Sequence, residues 1–211
     1  MSWIVHHGDC REILPTLGKV DAVVADPPYG IGEAAGKNES RGKLADVSAY
    51  GNDDWDDEPI SADLLASVIA SAPVTVIFGG NYYALPPSPC WLVWDKDNTG
   101  DFADCELAWT NLRTAVRRLK WRWNGMLQEN GGRWKEQRVH PTQKPVPVMR
   151  WVIQRTRVPK GSTILDPFCG SGSTGVAALA EGMNFIGIER EAKYVEIARR
   201  RIAAEAAQGK L

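Results

Sequence analysis

The chain has few cysteines and no pattern among them. Cys10, Cys90, Cys105 and Cys169 are widely spaced in 211 residues and form no CxxC pair. Neither a thiolate zinc site nor a disulfide framework is therefore expected, and a reducing cytoplasm is the natural setting. Of three histidines, His6 and His7 are adjacent; on a strand they point to opposite faces, so no metal is expected there. No apolar run is long enough to span a bilayer and no signal-peptide pattern opens the sequence, so no membrane partner is expected. Internal repeats and low-complexity tracts are also missing. The length fits one domain, residues 1–211, able to bury a core without staples.

Net charge is nearly absent too, at −1, but its distribution is uneven. Residues 1–112 hold 6 Lys/Arg against 18 Asp/Glu, residues 113–160 hold 13 against 2, and residues 161–211 hold 6 against 6. Positive charge gathered in one segment can present a local basic face to a polyanion.

Short apolar runs alternate with helical patterns. The runs are Trp3 to Val5, Ala22 to Ala25, Val74 to Phe78, Trp91 to Trp94, Leu107 to Trp109, Thr163 to Leu165 and Phe185 to Ile188. Leu64, Leu65, Val68 and Ile69 follow helical spacing behind Ser61 as N-cap, as do Val148, Met149, Val152 and Ile153 after Pro145. Val195, Ala198 and Ile202 form the stripe of a long last helix. This rhythm predicts an α/β, doubly wound sheet with helices on both faces. Residues 30–57 break it and read as a long mobile loop. Residues 111–139 break it as a basic insert containing Trp121, Trp123 and Trp134, of which Trp121 and Trp123 are read as core.

Asp26-Pro27-Pro28-Tyr29 ends an apolar run. It places a carboxylate, two residues without a backbone donor and an aromatic ring at the strand edge where open sheets bind ligands. Two readings stand: a site for a flat, neutral molecule with an exocyclic amine, or a proline-stiffened turn with a capping aspartate. Asp166-Pro167-Phe168-Cys169-Gly170-Ser171-Gly172-Ser173-Thr174-Gly175 reads strand, glycine turn, helix, with Glu189 19 residues beyond Gly170. The spacing also satisfies the dinucleotide fingerprint, so an NAD-dependent oxidoreductase remains an alternative. Charge separates the two. Asp166 beside the turn would repel a pyrophosphate and attract a cationic head such as that of S-adenosylmethionine, whose ribose Glu189 could bind.

With both segments in view, the chain resembles the DNA amino-methyltransferases, in particular the β group, in which the catalytic motif precedes the cofactor motif. Related phage-type small DNA methylases share part of this pattern, and the resemblance implies a Rossmann-like methyltransferase sheet, mostly parallel with an antiparallel hairpin strand. Asp26 to Tyr29 matches the family's catalytic motif and Asp166 to Gly172 its cofactor loop. Gly8-Asp9-Cys10 matches the segment beside the cofactor's adenine, and His140-Pro141-Thr142-Gln143-Lys144-Pro145 the segment closing the methionine end. Phe78-Gly79-Gly80-Asn81-Tyr82-Tyr83 and Trp94-Asp95-Lys96 fit as well. The motif order and the leading Asp argue against the Asn-Pro-Pro-Tyr enzymes that act on glutamine or RNA.

The resemblance implies transfer of a methyl group from S-adenosylmethionine to the N6 amine of a flipped-out adenine in double-stranded DNA, with cytosine N4 as the alternative. It implies catalytic roles for Asp26, Pro27, Pro28 and Tyr29, with the Asp26 carboxylate and Pro27 carbonyl holding the amine and Tyr29 stacking on the base. It implies cofactor contacts from Asp9, Cys10, Asp26, Lys144, Asp166, Phe168, Gly170, Ser171, Gly172 and Glu189. Locally, Asp9 reads equally as a helix N-cap and Glu189 as a cap for the last helix. Arg113, Arg117, Arg118, Lys120, Arg122, Arg133, Lys135 and Arg138 are the expected phosphate contacts. The family often dimerises, and the short basic insert makes a homodimer an expectation for this chain.

Overall fold

The computed structural model describes residues 1–30, 58–98, 103–124, 127–129, 136, 139–140 and 142–208. In chain order its elements are β1 (Trp3–His7), α1 (Cys10–Ile13), β2 (Ala22–Ala25), α2 (Ala62–Ala70), β3 (Val74–Phe78), β4 (Trp91–Asp95), β5 (Cys105–Thr110) and β6 (Arg117–Lys120). There follow β7 (Trp123–Asn124), β8 (Leu127–Gln128), α3 (Val146–Thr156), β9 (Thr163–Asp166), α4 (Ser173–Ala180), β10 (Asn184–Glu189) and α5 (Ala192–Gln208). The expected 30–57 loop, from residue 31 onward, lies outside the described residues, as do Arg133, Trp134, Lys135 and Arg138 of the basic insert.

Eight strands form one sheet in the order β1-β10-β9-β2-β3-β5-β4-β6, and β7 pairs with β8 in a separate two-stranded ribbon. Strand β5 runs against both β3 and β4, while every other pairing in the large sheet is parallel. The chain's two ends meet in this sheet: β1 lies beside β10 with Trp3 opposite Phe185 and His7 opposite Glu189. A permuted motif order thus leaves an unbroken sheet.

Strand β2 shows why the sheet carries helices on both sides. All four of its residues are buried, and their side chains alternate between faces. Ala22 and Val24 share an apolar layer with Val148 and Val152 of α3, Ala177 of α4 and Ala198 and Ile202 of α5. Val23 and Ala25 join Cys10 of α1 and Leu65 and Val68 of α2 in the other layer. A strand covered on both sides reads as a continuous apolar run, and each fully buried Val contributes about 1.5–3 kcal/mol. Ser61 caps α2 by accepting from the Leu64 N–H at 3.3 Å. Pro145 and Pro147 fix the entry to α3, and Arg157 ends it in the left-handed conformation (φ 58°).

Two neighbouring strands send their chains to opposite faces. After β9 the chain enters α4 in one layer; after β2 it reaches α2 in the other. Such a reversal opens a crevice at the strands' C-terminal ends. Asp26 follows β2, and Asp166 ends β9.

Candidate active site

A cleft of about 990 Å³ opens there. Asp26 and Pro28 line it together with Asp166, Phe168, Gly170, Ser171 and Glu189, with Asp9 and Cys10 beyond β1, and with Lys144. The acidic-diproline corner and the glycine turn therefore face one space. Pro27 is buried. Gly172 is the exception among the expected cofactor residues: it faces α5, where an added Cβ would come 2.9 Å from Ala198, and it is not part of the cleft wall. Its left-handed backbone (φ 83°) starts α4, which is why a glycine is needed there.

Asp26 has both oxygens engaged. Its Oδ1 accepts from the Tyr29 hydroxyl at 2.5 Å and its Oδ2 from the Lys144 ammonium at 2.5 Å. Lys144 side chain is only 7% exposed and also lies 3.2 Å from Glu106 Oε2, while Glu106 Oε1 pairs with Lys96 at 2.6 Å. Burial raises the Asp26 carboxyl above its usual range, opposed by the Lys144 charge. Burial would lower Lys144, but the Asp26 and Glu106 carboxylates outweigh it and hold the ammonium above its ordinary value. Glu106, lifted by burial but faced by Lys144 and Lys96, ends below the ordinary value. The result is a buried alternation of charges, Asp26, Lys144, Glu106, Lys96.

Tyr29 already carries a stacked ring on one face. Tyr82 stacks on it with centroids 5.0 Å apart and planes 15° from parallel. Its ring also packs against Gly79, where an added Cβ would lie 2.2 Å from Tyr29 Cε1. The Tyr83 hydroxyl donates to the Pro28 carbonyl. The Phe78-to-Tyr83 segment thus braces the Asp26-to-Tyr29 corner, and burial with the nearby Asp26 charge lifts the Tyr29 phenol well above its ordinary value.

On the cofactor-motif side, Asp166 is 2% exposed. Its Oδ2 accepts from the Thr174 hydroxyl at 2.5 Å and its Oδ1 from the Phe168 N–H at 3.0 Å, yet burial still pushes its pKa up to about 7. Glu189 Oε2 accepts from the Gly170 N–H at 2.7 Å and Oε1 from the Glu191 N–H at 2.8 Å. It fastens the glycine turn to β10 and the entry to α5, and burial raises its pKa. Asp9 caps α1 through the Arg11 N–H at 2.8 Å and pairs with the Arg11 guanidinium; that hydrogen bond lowers its pKa. Cys10 is buried and its thiol is pushed up to about 11 by desolvation, so it packs rather than ionises. A wall with buried carboxyls at one end and acids at the rim suits a positively charged, ribose-bearing ligand. Among the described residues no group of three or more His, Cys, Asp or Glu could hold a metal, and no helix is long and apolar enough to cross a membrane.

Sequence reasoning passed over several residues that shape this site. Glu106 is invisible as a site residue until β5 is known to run antiparallel, which brings its start to the same sheet edge as the end of β4. Glu136 and Arg201 pair at 2.7 Å. Glu136 also accepts from Gln143 Nε2 and the Val146 N–H, and Arg201 donates to the Ser171 carbonyl at 2.7 Å. In the basic insert, Arg118 faces Asp95 at 3.7 Å and Lys120 faces Asp97 at 2.8 Å, with Arg122 on Asp97 as well. Trp121 and Trp123 pack against the core.

The fold is an open α/β sheet whose cleft at the strand ends gathers Asp26 and the glycine turn at Gly170. The family follows directly. A family model described as DNA methylase, of the N6/N4 methyltransferase type, matches residues 91–200, over half of the chain, and the chain belongs to that family. It is 43% identical over 89 residues to the type II methyltransferase M2.DpnII of Streptococcus pneumoniae, a match spanning 42% of this chain and 32% of that protein. It is 39% identical over 93 residues to M2.LlaDCHI of Lactococcus lactis subsp. cremoris, spanning 44% of this chain and 34% of that one. The matched part is thus about a third of either relative's length. The crystal structure of M1.HpyAVI in complex with SAM superposes with a TM-score of 0.58 at 25% identity, over 94% of this chain and 99% of that one. The cytosine-N4-specific PvuII DNA methyltransferase superposes at 0.60 with 15% identity, covering 95% of this chain and 86% of that one, a likeness of fold.

Proposed function

We propose that this chain transfers a methyl group from S-adenosylmethionine to the exocyclic amine of a base flipped out of double-stranded DNA, with adenine N6 as the target. The observation that carries this reading is the convergence of Asp26 and the Gly170 turn on one cleft at adjoining strand ends. The residues present fit the cofactor: a buried Asp166 with a pKa pushed up to about 7 gains from a cation nearby, and Glu189 and Asp9 border the same cleft. Asp9, Cys10, Asp26, Lys144, Asp166, Phe168, Gly170, Ser171 and Glu189 would surround it. Bound there, it supplies an electrophilic methyl on a positively charged sulfur. Family membership sets aside the nicotinamide alternative.

The chain's own residues do the rest. An exocyclic amine has its lone pair delocalised into the ring, and Asp26 with the Pro27 carbonyl would accept its two hydrogens and aim the lone pair. Asp26 stabilises the positive charge that develops on nitrogen and so need not be a strong base. Extruding the base costs about a few kcal/mol, offset in this reading by phosphate contacts from Arg113, Arg117, Arg118, Lys120 and Arg122. A second subunit would extend the short basic insert, and a solution mass equal to one chain would remove that part of the proposal.

The test is incubation with mixed-sequence DNA and labelled methyl donor, followed by nucleoside analysis. Label in N6-methyladenosine is expected. Label in N4-methylcytidine would instead favour the second reading, which rests on the family's spanning both chemistries and on the shared amine geometry. No label in either would overturn the enzyme reading.

A further inference from the structure

Glu129 and Glu136 are the two acids in the basic stretch of residues 113–160, and Glu136 turns its charge inward. It lies behind the cleft wall and does not line it. Its Oε1 accepts from the Arg201 guanidinium at 2.7 Å and from Gln143 Nε2 at 2.8 Å, and its Oε2 accepts from the Val146 N–H at 3.0 Å. Gln128 of β8 pins the Glu136 backbone, donating to its carbonyl at 3.0 Å and accepting from its N–H at 2.9 Å. One carboxylate therefore grips positions 143 and 146, on either side of Lys144, whose ammonium sits 2.5 Å from Asp26 Oδ2. Through Arg201 the same carboxylate grips the glycine turn, because Arg201 donates to the Ser171 carbonyl at 2.7 Å and to the Ser171 and Ser173 hydroxyls at 3.0 and 3.3 Å.

We propose that Glu136 is a positioning residue that fixes the glycine turn and Lys144 at their working separation. A carboxylate suits the task, since it can accept all three donors that converge on it, whereas an amide would turn N–H groups toward some of them. The negative charge also sits at the start of α3, where Pro145 offers no capping side chain. Glu136 acts through Ser171 on the cofactor side and through Lys144 on the Asp26 side. The second of these rests on the amine-methylation reading; the first can be measured without DNA.

The test compares Glu136→Ala, Gln143→Leu and Arg201→Leu with wild type by calorimetric titration of S-adenosylmethionine without DNA, DNA methylation at saturating cofactor, and thermal melting. Glu136→Ala should raise cofactor Kd and lower kcat, each by about tenfold, roughly the worth of a charge-assisted hydrogen bond. Gln143→Leu should lower kcat and leave Kd within about threefold, whereas Arg201→Leu should raise Kd and leave kcat within about threefold. A purely structural residue would lower the melting temperature and leave both constants alone well below it. Glu136→Ala constants that change singly, or not at all, would therefore overturn the inference. If Glu136→Ala does not fold, Glu136→Gln, in which all three bonds lose their charge, decides by the same outcomes. A wild-type chain that binds cofactor but methylates no DNA would overturn the functional reading, and the cofactor Kd of the Glu136 variant would still decide the Ser171 side.

Discussion

Arg201 and Glu136 meet at 2.7 Å although 65 positions separate them. Arg201 reaches from α5 to the Ser171 carbonyl and hydroxyl, at 2.7 and 3.0 Å, in the glycine turn. Glu136 holds Gln143 at 2.8 Å and the first N–H of α3 at 3.0 Å. One ion pair therefore joins the cofactor motif to the segment that carries Lys144. Its side chains are 18% and 20% exposed, so it is largely shielded from solvent. Arg201→Leu should cost about 1–3 kcal/mol of stability, below the roughly 3–5 kcal/mol of a fully buried pair because this one keeps some solvent contact. It should also weaken cofactor binding by about tenfold as Ser171 loses its donor. Denaturant unfolding and cofactor titration measure the two. Normal cofactor affinity would show that the turn keeps its shape without this clamp.

Asp26→Ala removes the proposed acceptor of the substrate amine and leaves the glycine turn untouched. Turnover should vanish while cofactor Kd stays within about fivefold, because the cofactor motif is carried by β9 and α4. Loss of cofactor binding in this variant would mean that Asp26 belongs mainly to the cofactor's side of the cleft.

The sheet was largely readable from the chain because apolar runs there are bounded by strong breakers. Val74 to Phe78 sits between Pro73 and Gly79, and the observed β3 has the same limits. The stripes of α2, α3 and α5 were equally plain, since Leu65, Val68, Val152 and Ile202 all face the core. Strand β6 was not readable: Arg117-Arg118-Leu119-Lys120 is an outermost strand whose exposure suits charge rather than apolar alternation. In the site, the two motifs carried their own signal, but the Glu106–Lys144 contact depends on the reversal of β5, a long-range fact that no local pattern encodes. Tyr82 and Tyr83 pack against the Asp26-to-Tyr29 corner, a contact between segments more than 50 positions apart.

The raised pKa of Asp166 sets a pH dependence. Burial pushes it up to about 7, so below neutrality the carboxyl is protonated and offers a cation little. A bound sulfonium or ammonium favours the ionised form and lowers the pKa, so binding releases protons near neutral pH. Affinity for S-adenosylmethionine should rise by up to about tenfold from pH 6 to pH 8 and then level off. Calorimetry in two buffers of different ionisation enthalpy checks the proton release. Asp166→Asn should bind more weakly and flatten the dependence; the same slope in that variant would transfer the effect to Glu189, which burial also raises.

The basic insert carries a salt-dependent prediction. Arg118, Lys120 and Arg122 already face Asp95 and Asp97, so they are partly neutralised before DNA arrives, whereas Arg113 and Arg117 are exposed and face no carboxylate among the described residues. Reversing both, Arg113→Glu with Arg117→Glu, should weaken DNA binding at low salt and make the log–log salt slope shallower by about 0.9 per lost phosphate contact. Cofactor affinity should not change. Equal slopes for variant and wild type would place the DNA surface elsewhere.

Gly79 tests whether Tyr29 acts through its position. Its backbone is left-handed (φ 64°), and an alanine Cβ there would lie 2.2 Å from the Tyr29 ring. Gly79→Ala must therefore push the ring away and draw its hydroxyl off Asp26 Oδ1, besides straining the backbone by about 1 kcal/mol or more. Tyr29→Phe removes the same hydroxyl but leaves the ring stacked on Tyr82. If the ring's place matters, Gly79→Ala should reduce kcat by at least about tenfold more than Tyr29→Phe, at matched cofactor saturation and below either variant's melting temperature. If the two variants slow methyl transfer equally, the hydroxyl bond to Asp26 accounts for the whole contribution of Tyr29, and the stacking with Tyr82 serves stability alone.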